Sequence, residues 1–291
     1  MALEIIHRHD AGEDSRSIEP IKTPWGSAAV FHRKGPRRNE QRDALGLRVE
    51  DDGTLSFMVT DGITRNSPDA GEVASRIVET GMRTAARGNG VQARELTNEA
   101  YNQVWLKNHD GLDGEATCIT GIIKANREIA MHLVGDPETA DQKGDGKLTS
   151  YPHPTLVPQI RHFRELNDLL EKGADVEELW RMAQWESRDQ VRANNGLQPT
   201  HFMGTSGNYK LRKPSATWTL APNSWLIAGS DGLSLSVPAQ NPDYQFMRQR
   251  RLRIETFLKY STDPVEVAQY LSDWFDLRGP DNATGIVIRV D

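Results

Sequence analysis

Apolar and polar positions along the chain fall into short β-prone runs and longer stretches with helical spacing. Residues 43–49 and 55–59 are β-prone and flank Asp51-Asp52-Gly53, a turn sequence that predicts a hairpin between them. Further strands are predicted over residues 25–32, 117–123, 128–134, 216–220, 224–228 and 283–290. The strand-like runs come mostly in pairs, which favours antiparallel pairing.

Helical patterns lie between these pairs of strands. Ser67 and Pro68 are typical of an N-cap and a first helical position, and apolar residues recur at helical spacing from Ala70 to Ala85. Other helical patterns occur near residues 96–105, 159–194, 244–260 and 264–275. Together the patterns predict an α+β protein with mostly antiparallel sheets covered by helices. With no repeat or linker visible, we expect an irregular lead-in over 1–24 and a single domain over 25–291.

Charge and composition narrow the classes of function. A net charge of −6 argues against broad binding to a nucleic-acid backbone, so no nucleic-acid partner is expected. No apolar run approaches the length of a membrane span, and the first residues lack the apolar centre of a signal peptide. Cys118 is the single cysteine, so an internal disulfide is impossible. We therefore expect a cytoplasmic protein with no membrane partner.

Acidic residues follow or precede several of the predicted strands. Asp61, Asp136 and Asp231 each follow a strand-like run after one or two intervening residues, and Asp281 precedes the last strand. Two hard cations that share oxygen ligands need several such carboxylates, and they could activate water for hydrolysis of a phosphate ester. Asp-Gly pairs also make ordinary turns, as Asp51-Asp52-Gly53 does. Spacing alone leaves both interpretations open.

Six motifs occur in a fixed order along the chain: Arg38-Asn39-Glu40-Gln41-Arg42-Asp43-Ala44, Val59-Thr60-Asp61-Gly62, Glu115-Ala116-Thr117, Val134-Gly135-Asp136, Ser230-Asp231-Gly232-Leu233 and Asp281-Asn282-Ala283-Thr284. In these motifs the chain resembles the 2C-type, metal-dependent serine/threonine protein phosphatase family. Any one motif is a weak signal, whereas six in order are specific. The resemblance implies a four-layer αββα sandwich, in which two mostly antiparallel sheets are flanked by helices. It also implies a helical flap region near 141–207 beside the active site.

The resemblance further implies a set of metal ligands for two divalent ions, Mn²⁺ or Mg²⁺. Asp61 would bridge the two ions, helped by the carbonyl of Gly62. Asp231 and Asp281 would complete the shell of one ion. Asp43 would act close by, directly or through a metal-held water.

Two further positions carry a role only through the resemblance. Arg38 would hold the substrate phosphate, because a guanidinium can bind two phosphate oxygens at once. Asp136 would bind a possible third, weaker ion, although a strand-end turn explains it equally well. The implied substrates are phosphorylated proteins, and a cognate serine/threonine kinase is an expected partner.

Some residues depart from the family pattern. Arg42 stands where the family often has Glu, and Ile63-Thr64-Arg65 replaces a glycine-containing segment. None of these departures removes Asp61, Asp231 or Asp281, so we expect an active but divergent enzyme. The alternative is a catalytically weak or inactive pseudophosphatase that acts as a binding or regulatory module. A two-metal nuclease would suit the acids but neither the net charge nor the order of the motifs.

Cysteine and histidine chemistry is a less favoured alternative. A cysteine phosphatase needs its thiolate in a phosphate-binding loop, whereas Cys118 lies inside a predicted strand and is expected in the core. The eight histidines show no ligand-like spacing, and most are expected at the surface, with His132 within a strand.

Overall fold

The strands form two sheets in a computed structural model that describes residues 2–9, 18–35, 38–62, 69–88, 90–106, 114–134, 138–142, 148–150, 203–204, 215–230, 233, 244–278 and 282–291. The first sheet has the order β1 (Leu3–His7), β4 (Ala44–Val49), β5 (Leu55–Gly62), β6 (Glu115–Ile123), β7 (Glu128–Val134) and β11 (Ser215–Thr219), with β10 (Met203–Gly204) also paired to β6. The second sheet has the order β2 (Glu19–Thr23), β3 (Gly26–Arg33), β13 (Ala283–Val290), β12 (Trp225–Gly229), β8 (Glu138–Gln142) and β9 (Leu148–Ser150). Every pairing between these strands is antiparallel.

Helices cover the outer faces of both sheets. Helices α1 (Ala70–Ala85) and α2 (Ala93–Leu106) pack on the first sheet, where Ile77 and Met82 join a buried cluster with Met58. Helices α3 (Tyr244–Tyr260) and α4 (Pro264–Arg278) pack on the second sheet. None of the helices in the described part of the chain is both long enough and apolar enough to cross a bilayer.

The main core lies between the two sheets. Alternate residues of the central strands point into it, among them Leu47, Phe57, Val59, Ile286 and Ile288. With helices outside each sheet, the layers run helix, sheet, sheet, helix. The α+β class and the four-layer αββα sandwich expected from the sequence are confirmed.

Strands β1 and β2 lie within residues 1–24, so the irregular lead-in predicted there is wrong for these two segments. Each is an edge strand of five residues, too short for a clear alternation of apolar and polar positions. Ile5 of β1 nevertheless faces the core between the sheets, which gives the segment a place to pair. Most of the helical flap predicted near 141–207 lies outside the described residues; within it, 141–142, 148–150 and 203–204 are in strands.

Candidate metal centre

One end of the sandwich collects the strand termini that border the sequence motifs. In the first sheet β4 begins, β5 ends and β6 begins at this end, since Ala44 pairs with Thr60 and Gly62 pairs with Ala116. In the second sheet β3 ends, β13 begins and β12 ends there, because Thr284 pairs with His32 and Gly229 pairs with Gly285. Motifs far apart in sequence therefore meet at one edge.

Asp43 and Asp61 lie opposite each other at this edge. The ladder between β4 and β5 extends two residues beyond Ala44, to Arg42, because the Gly62 N–H donates a hydrogen bond to the Arg42 carbonyl at 3.2 Å. In an antiparallel ladder, residues at opposed positions leave the same face with Cβ atoms about 5 Å apart. The hairpin register thus brings two acids that are 18 positions apart along the chain side by side.

Both acids point toward the space between the sheets. Leu45 and Val59, two positions away on the same strands, belong to the core between the sheets, and side chains alternate along a strand. Asp43 is fully buried, whereas Asp61 is partly exposed. At this end of the sandwich, carboxylates therefore occupy the space between the sheets that apolar side chains fill elsewhere.

This pair fits a divalent cation, because carboxylate oxygens are the ligands that Mg²⁺ and Mn²⁺ prefer. Within the described ranges, no three His, Cys, Asp or Glu side chains form a metal-binding group. The other predicted ligands, Asp136, Asp231 and Asp281, lie outside those ranges. Ser230, which precedes Asp231, and Asn282, which follows Asp281, are described and lie at this same end.

Gly62 is required here for close packing. A Cβ at this position would lie 2.7 Å from the carbonyl carbon and oxygen of Ala70 and 2.8 Å from the Arg42 oxygen. The neighbouring Thr60 hydroxyl donates to the Ala74 carbonyl at 3.1 Å, which ties β5 to α1. The end of the strand that carries Asp61 is therefore held between β4 and the first turn of α1.

Arg38 lies on a loop that is fastened to the beginning of β13. The Arg38 N–H donates to the Gly35 carbonyl at 3.0 Å. The Gly35 N–H in turn donates to Asn282 Oδ1 at 3.1 Å, and Asn282 Nδ2 donates to the Glu40 carbonyl at 3.3 Å. Asn282, which the sequence marked only as part of a motif, thus holds the half-buried Arg38 at the edge where the acids lie.

Solved structures similar to this one include a serine/threonine phosphatase from S. agalactiae, with TM-score 0.61 and 16% identity over 94% of this chain and 100% of that one. A second is the catalytic domain of the serine/threonine phosphatase PstP in complex with two manganese ions, with TM-score 0.58 and 18% identity over 91% of this chain and 98% of that one. A third is RsbX in complex with magnesium, with TM-score 0.55 and 15% identity over 94% and 100%. This chain has the fold of these three proteins, two of which are serine/threonine phosphatases.

No protein-family model and no curated protein matches the sequence. The likeness to the phosphatases therefore rests on their fold. The resemblance seen in the six motifs is confirmed at the level of the fold.

Arg42 differs from the residue that the phosphatase motif often has at this position, and the structure shows its contacts. Its side chain is only 18% exposed, and its Nε donates to Glu40 Oε1 at 2.7 Å. A second guanidinium nitrogen forms an ion pair with the same oxygen. A cation therefore directly precedes Asp43, where the phosphatase family often has a carboxylate.

Buried polar side chains that sequence reasoning missed lie beneath the acids. The His7 and His32 rings stack with centroids 5.6 Å apart, and both side chains are buried between the sheets. The expectation that most histidines lie at the surface is wrong for these two. Burial, followed by the nearby His7, lowers the pKa of His32 from 6.5 to about 3, so its ring is neutral at neutral pH.

Cys118 lies in β6 and is fully buried, as its position inside a strand predicted. Burial raises the pKa of its thiol to about 12. A thiol in this state is a poor nucleophile, because the thiolate is the reactive form. The cysteine-phosphatase alternative is therefore excluded on physical grounds.

Proposed function

We propose that the chain is a metal-dependent protein serine/threonine phosphatase, which hydrolyses phosphoserine and phosphothreonine with a water activated by two divalent ions, Mn²⁺ or Mg²⁺. The observation that carries this proposal is the pair of opposed carboxylates, Asp43 and Asp61, at the edge where the motif-bearing strand ends meet. The phosphatase fold supports it.

The residues that would hold the ions are Asp61 with the Gly62 carbonyl, Asp43, Asp231 and Asp281, and Asp136 would serve a weaker third ion. When bound, such ions lower the pKa of a bound water and neutralise charge on a phosphoryl group. Asp61 is partly exposed at this end of the sandwich and Asp43 beside it is fully buried, so the pair lies between solvent and the apolar core. Because strands carry both acids, little reorganisation is needed when a cation binds.

Arg38 would bind the phosphate of the substrate. Its guanidinium can donate two parallel hydrogen bonds to phosphate oxygens, and it remains charged at any working pH. The hydrogen bonds from the Gly35 N–H to Asn282 Oδ1 and from Asn282 Nδ2 to the Glu40 carbonyl keep its loop close to the acids. The proposed substrates are phosphorylated proteins, including those modified by a cognate serine/threonine kinase.

The proposal is tested by Mn²⁺-dependent hydrolysis of an aryl phosphate and of phosphoserine and phosphothreonine peptides. Chelation should abolish the activity, and Asp61→Asn should lower the rate by several orders of magnitude while leaving the fold intact, because it removes a metal ligand. Arg38→Lys should chiefly raise KM, since the charge is kept but the paired hydrogen bonds are lost. Activity of Asp61→Asn close to that of the wild type would contradict the proposal.

A non-catalytic binding module is the second candidate, and the half-buried Arg42 beside Asp43 is the observation that favours it. The guanidinium of Arg42 cannot ligate a cation, and its charge, which Glu40 pairs, gives none of the attraction that a carboxylate at this position would give. Calorimetry with Mn²⁺ separates the two candidates, because a scaffold of this kind should not bind a pair of ions tightly.

A further inference from the structure

A buried chain of hydrogen bonds connects Asp43 to the interior of the sandwich. The Asp43 N–H donates to Gln41 Oε1 at 3.2 Å, and Gln41 Nε2 donates to Thr284 Oγ1 at 3.3 Å. Thr284 Oγ1 lies 3.0 Å from His32 Nδ1. All four side chains are buried, and Gln41 and Thr284 are 243 positions apart in sequence.

The donor and acceptor roles along this series of hydrogen bonds are compatible with one another. A threonine hydroxyl has one proton, so Thr284 can accept from Gln41 while it donates to Nδ1 of a neutral His32. The link between Gln41 and Thr284 has one direction, because Gln41 Oε1 already accepts from the Asp43 N–H and its amide nitrogen must donate. Burial makes such a mismatch costly.

Thr284 also binds the neighbouring strand end. The Ser230 N–H donates to the Thr284 carbonyl at 2.9 Å, and the Thr284 N–H donates to Ser230 Oγ at 3.2 Å. Ser230 directly precedes Asp231 in sequence, and Thr284 follows Asp281 by three positions. Thr284, whose own segment begins with Asp281, is therefore bonded to two other segments that carry a proposed metal ligand: to that of Asp43 through its hydroxyl and to that of Asp231 through its backbone.

We propose that Gln41 and Thr284 are positioning residues for the divalent-cation site, whose side chains hold the segment of Asp43 against the strand that follows Asp281. This role rests on the proposed function. The two side chains act through the backbone and not by contact with an ion, since their polar atoms are used in the links to Asp43 N–H and His32. Partners that orient metal ligands typically change metal affinity about 10- to 100-fold when they are removed.

The test compares Thr284→Val, which keeps the shape and removes the hydroxyl, with Thr284→Ser, which keeps the hydroxyl. The matched control is Thr120→Val: Thr120 is also fully buried, and its hydroxyl pairs with Thr97 at 2.9 Å in the middle of the first sheet. The measurement is the Mn²⁺ dissociation constant by calorimetry, together with the electron paramagnetic resonance spectrum of the bound Mn²⁺ and the unfolding midpoint of each variant.

We expect Thr284→Val to weaken Mn²⁺ binding about 10-fold or more and to alter the spin coupling between the two ions, with Thr284→Ser close to the wild type. Thr120→Val should lower the unfolding midpoint by a similar amount and leave Mn²⁺ affinity unchanged. If the wild type binds Mn²⁺ and Thr284→Val binds it equally well, the positioning role is overturned and the proposed function stands. If the wild type binds no Mn²⁺, both are overturned.

Should Thr284→Val fail to fold, Gln41→Met gives the same test. It removes both hydrogen bonds of the amide at similar side-chain length. An unchanged Mn²⁺ affinity in folded Gln41→Met would overturn the proposal, and an affinity weakened about 10-fold would support it.

Discussion

His32 is buried between the sheets as a neutral ring, and this makes the stability of the fold depend on pH in a predictable direction. Its pKa falls from 6.5 to about 3 because burial, and then the stacked His7, disfavour the charged form. Between these two values the unfolded chain binds a proton that the folded protein does not, so folding becomes less favourable as pH falls. The resulting loss in the free energy of unfolding is about 2 kcal/mol at about pH 5 and about 5 kcal/mol once the pH is below the folded-state pKa.

The assay is urea unfolding, followed by tryptophan fluorescence, of the wild type and His32→Asn at several values between about pH 7.5 and about pH 5. Asparagine keeps a polar atom near the position of Nδ1 and does not titrate in this range. The wild type should lose about 2 kcal/mol more than the variant over this interval, whatever the offset between them at neutral pH. His132, whose burial lowers its pKa to about 4, contributes equally to both proteins and cancels. Parallel pH profiles would refute the reasoning.

Three further predictions concern the site and the core. Gly62→Ala should lower the free energy of unfolding by about 1–3 kcal/mol, because the new Cβ meets backbone atoms. The control Gly81→Ala, whose Cβ meets only the flexible end of Met58, should stay within about 1 kcal/mol of the wild type. Equal midpoints of urea unfolding for the two variants would contradict this. Cys118 should react with a thiol reagent only upon unfolding, so rapid labelling of the native protein would show that it is not buried. Arg42→Glu should tighten Mn²⁺ binding roughly 3- to 10-fold in calorimetry, because it replaces a cation beside Asp43 with an anion; weaker binding would count against that view.

The hairpin that carries Asp43 and Asp61 could be predicted from the sequence. Asp-Gly turn chemistry and the two β-prone runs indicate both strands and their connection, and the short turn then sets the register. In that register Ala44 pairs with Thr60, so Asp43 and Asp61 must lie opposite each other. Local residue patterns were sufficient to predict the hairpin, whereas the opposition of the two acids is seen in the structure, and Asp43 entered the prediction only through the family resemblance.

The polar residues beneath the acids could not be predicted in the same way. Gln41 meets Thr284, and His7 stacks on His32, only because the two sheets pack face to face. No turn or periodic pattern signals contacts of this kind, since each residue looks locally like an ordinary polar position in a strand or loop. The edge strands β1 and β2 were missed because each has only five residues and neither alternates cleanly between apolar and polar positions.

The central claim is that carboxylates distant in sequence converge on a pair of divalent ions at one end of the sandwich. Anomalous diffraction from crystals grown with Mn²⁺ tests it most directly. We expect peaks about 2.0–2.4 Å from carboxylate oxygens of Asp61, with Asp231 and Asp281 in the same cluster and Asp43 close by. A map without a peak beside Asp61, with Asp231 and Asp281 in separate regions, would contradict the account.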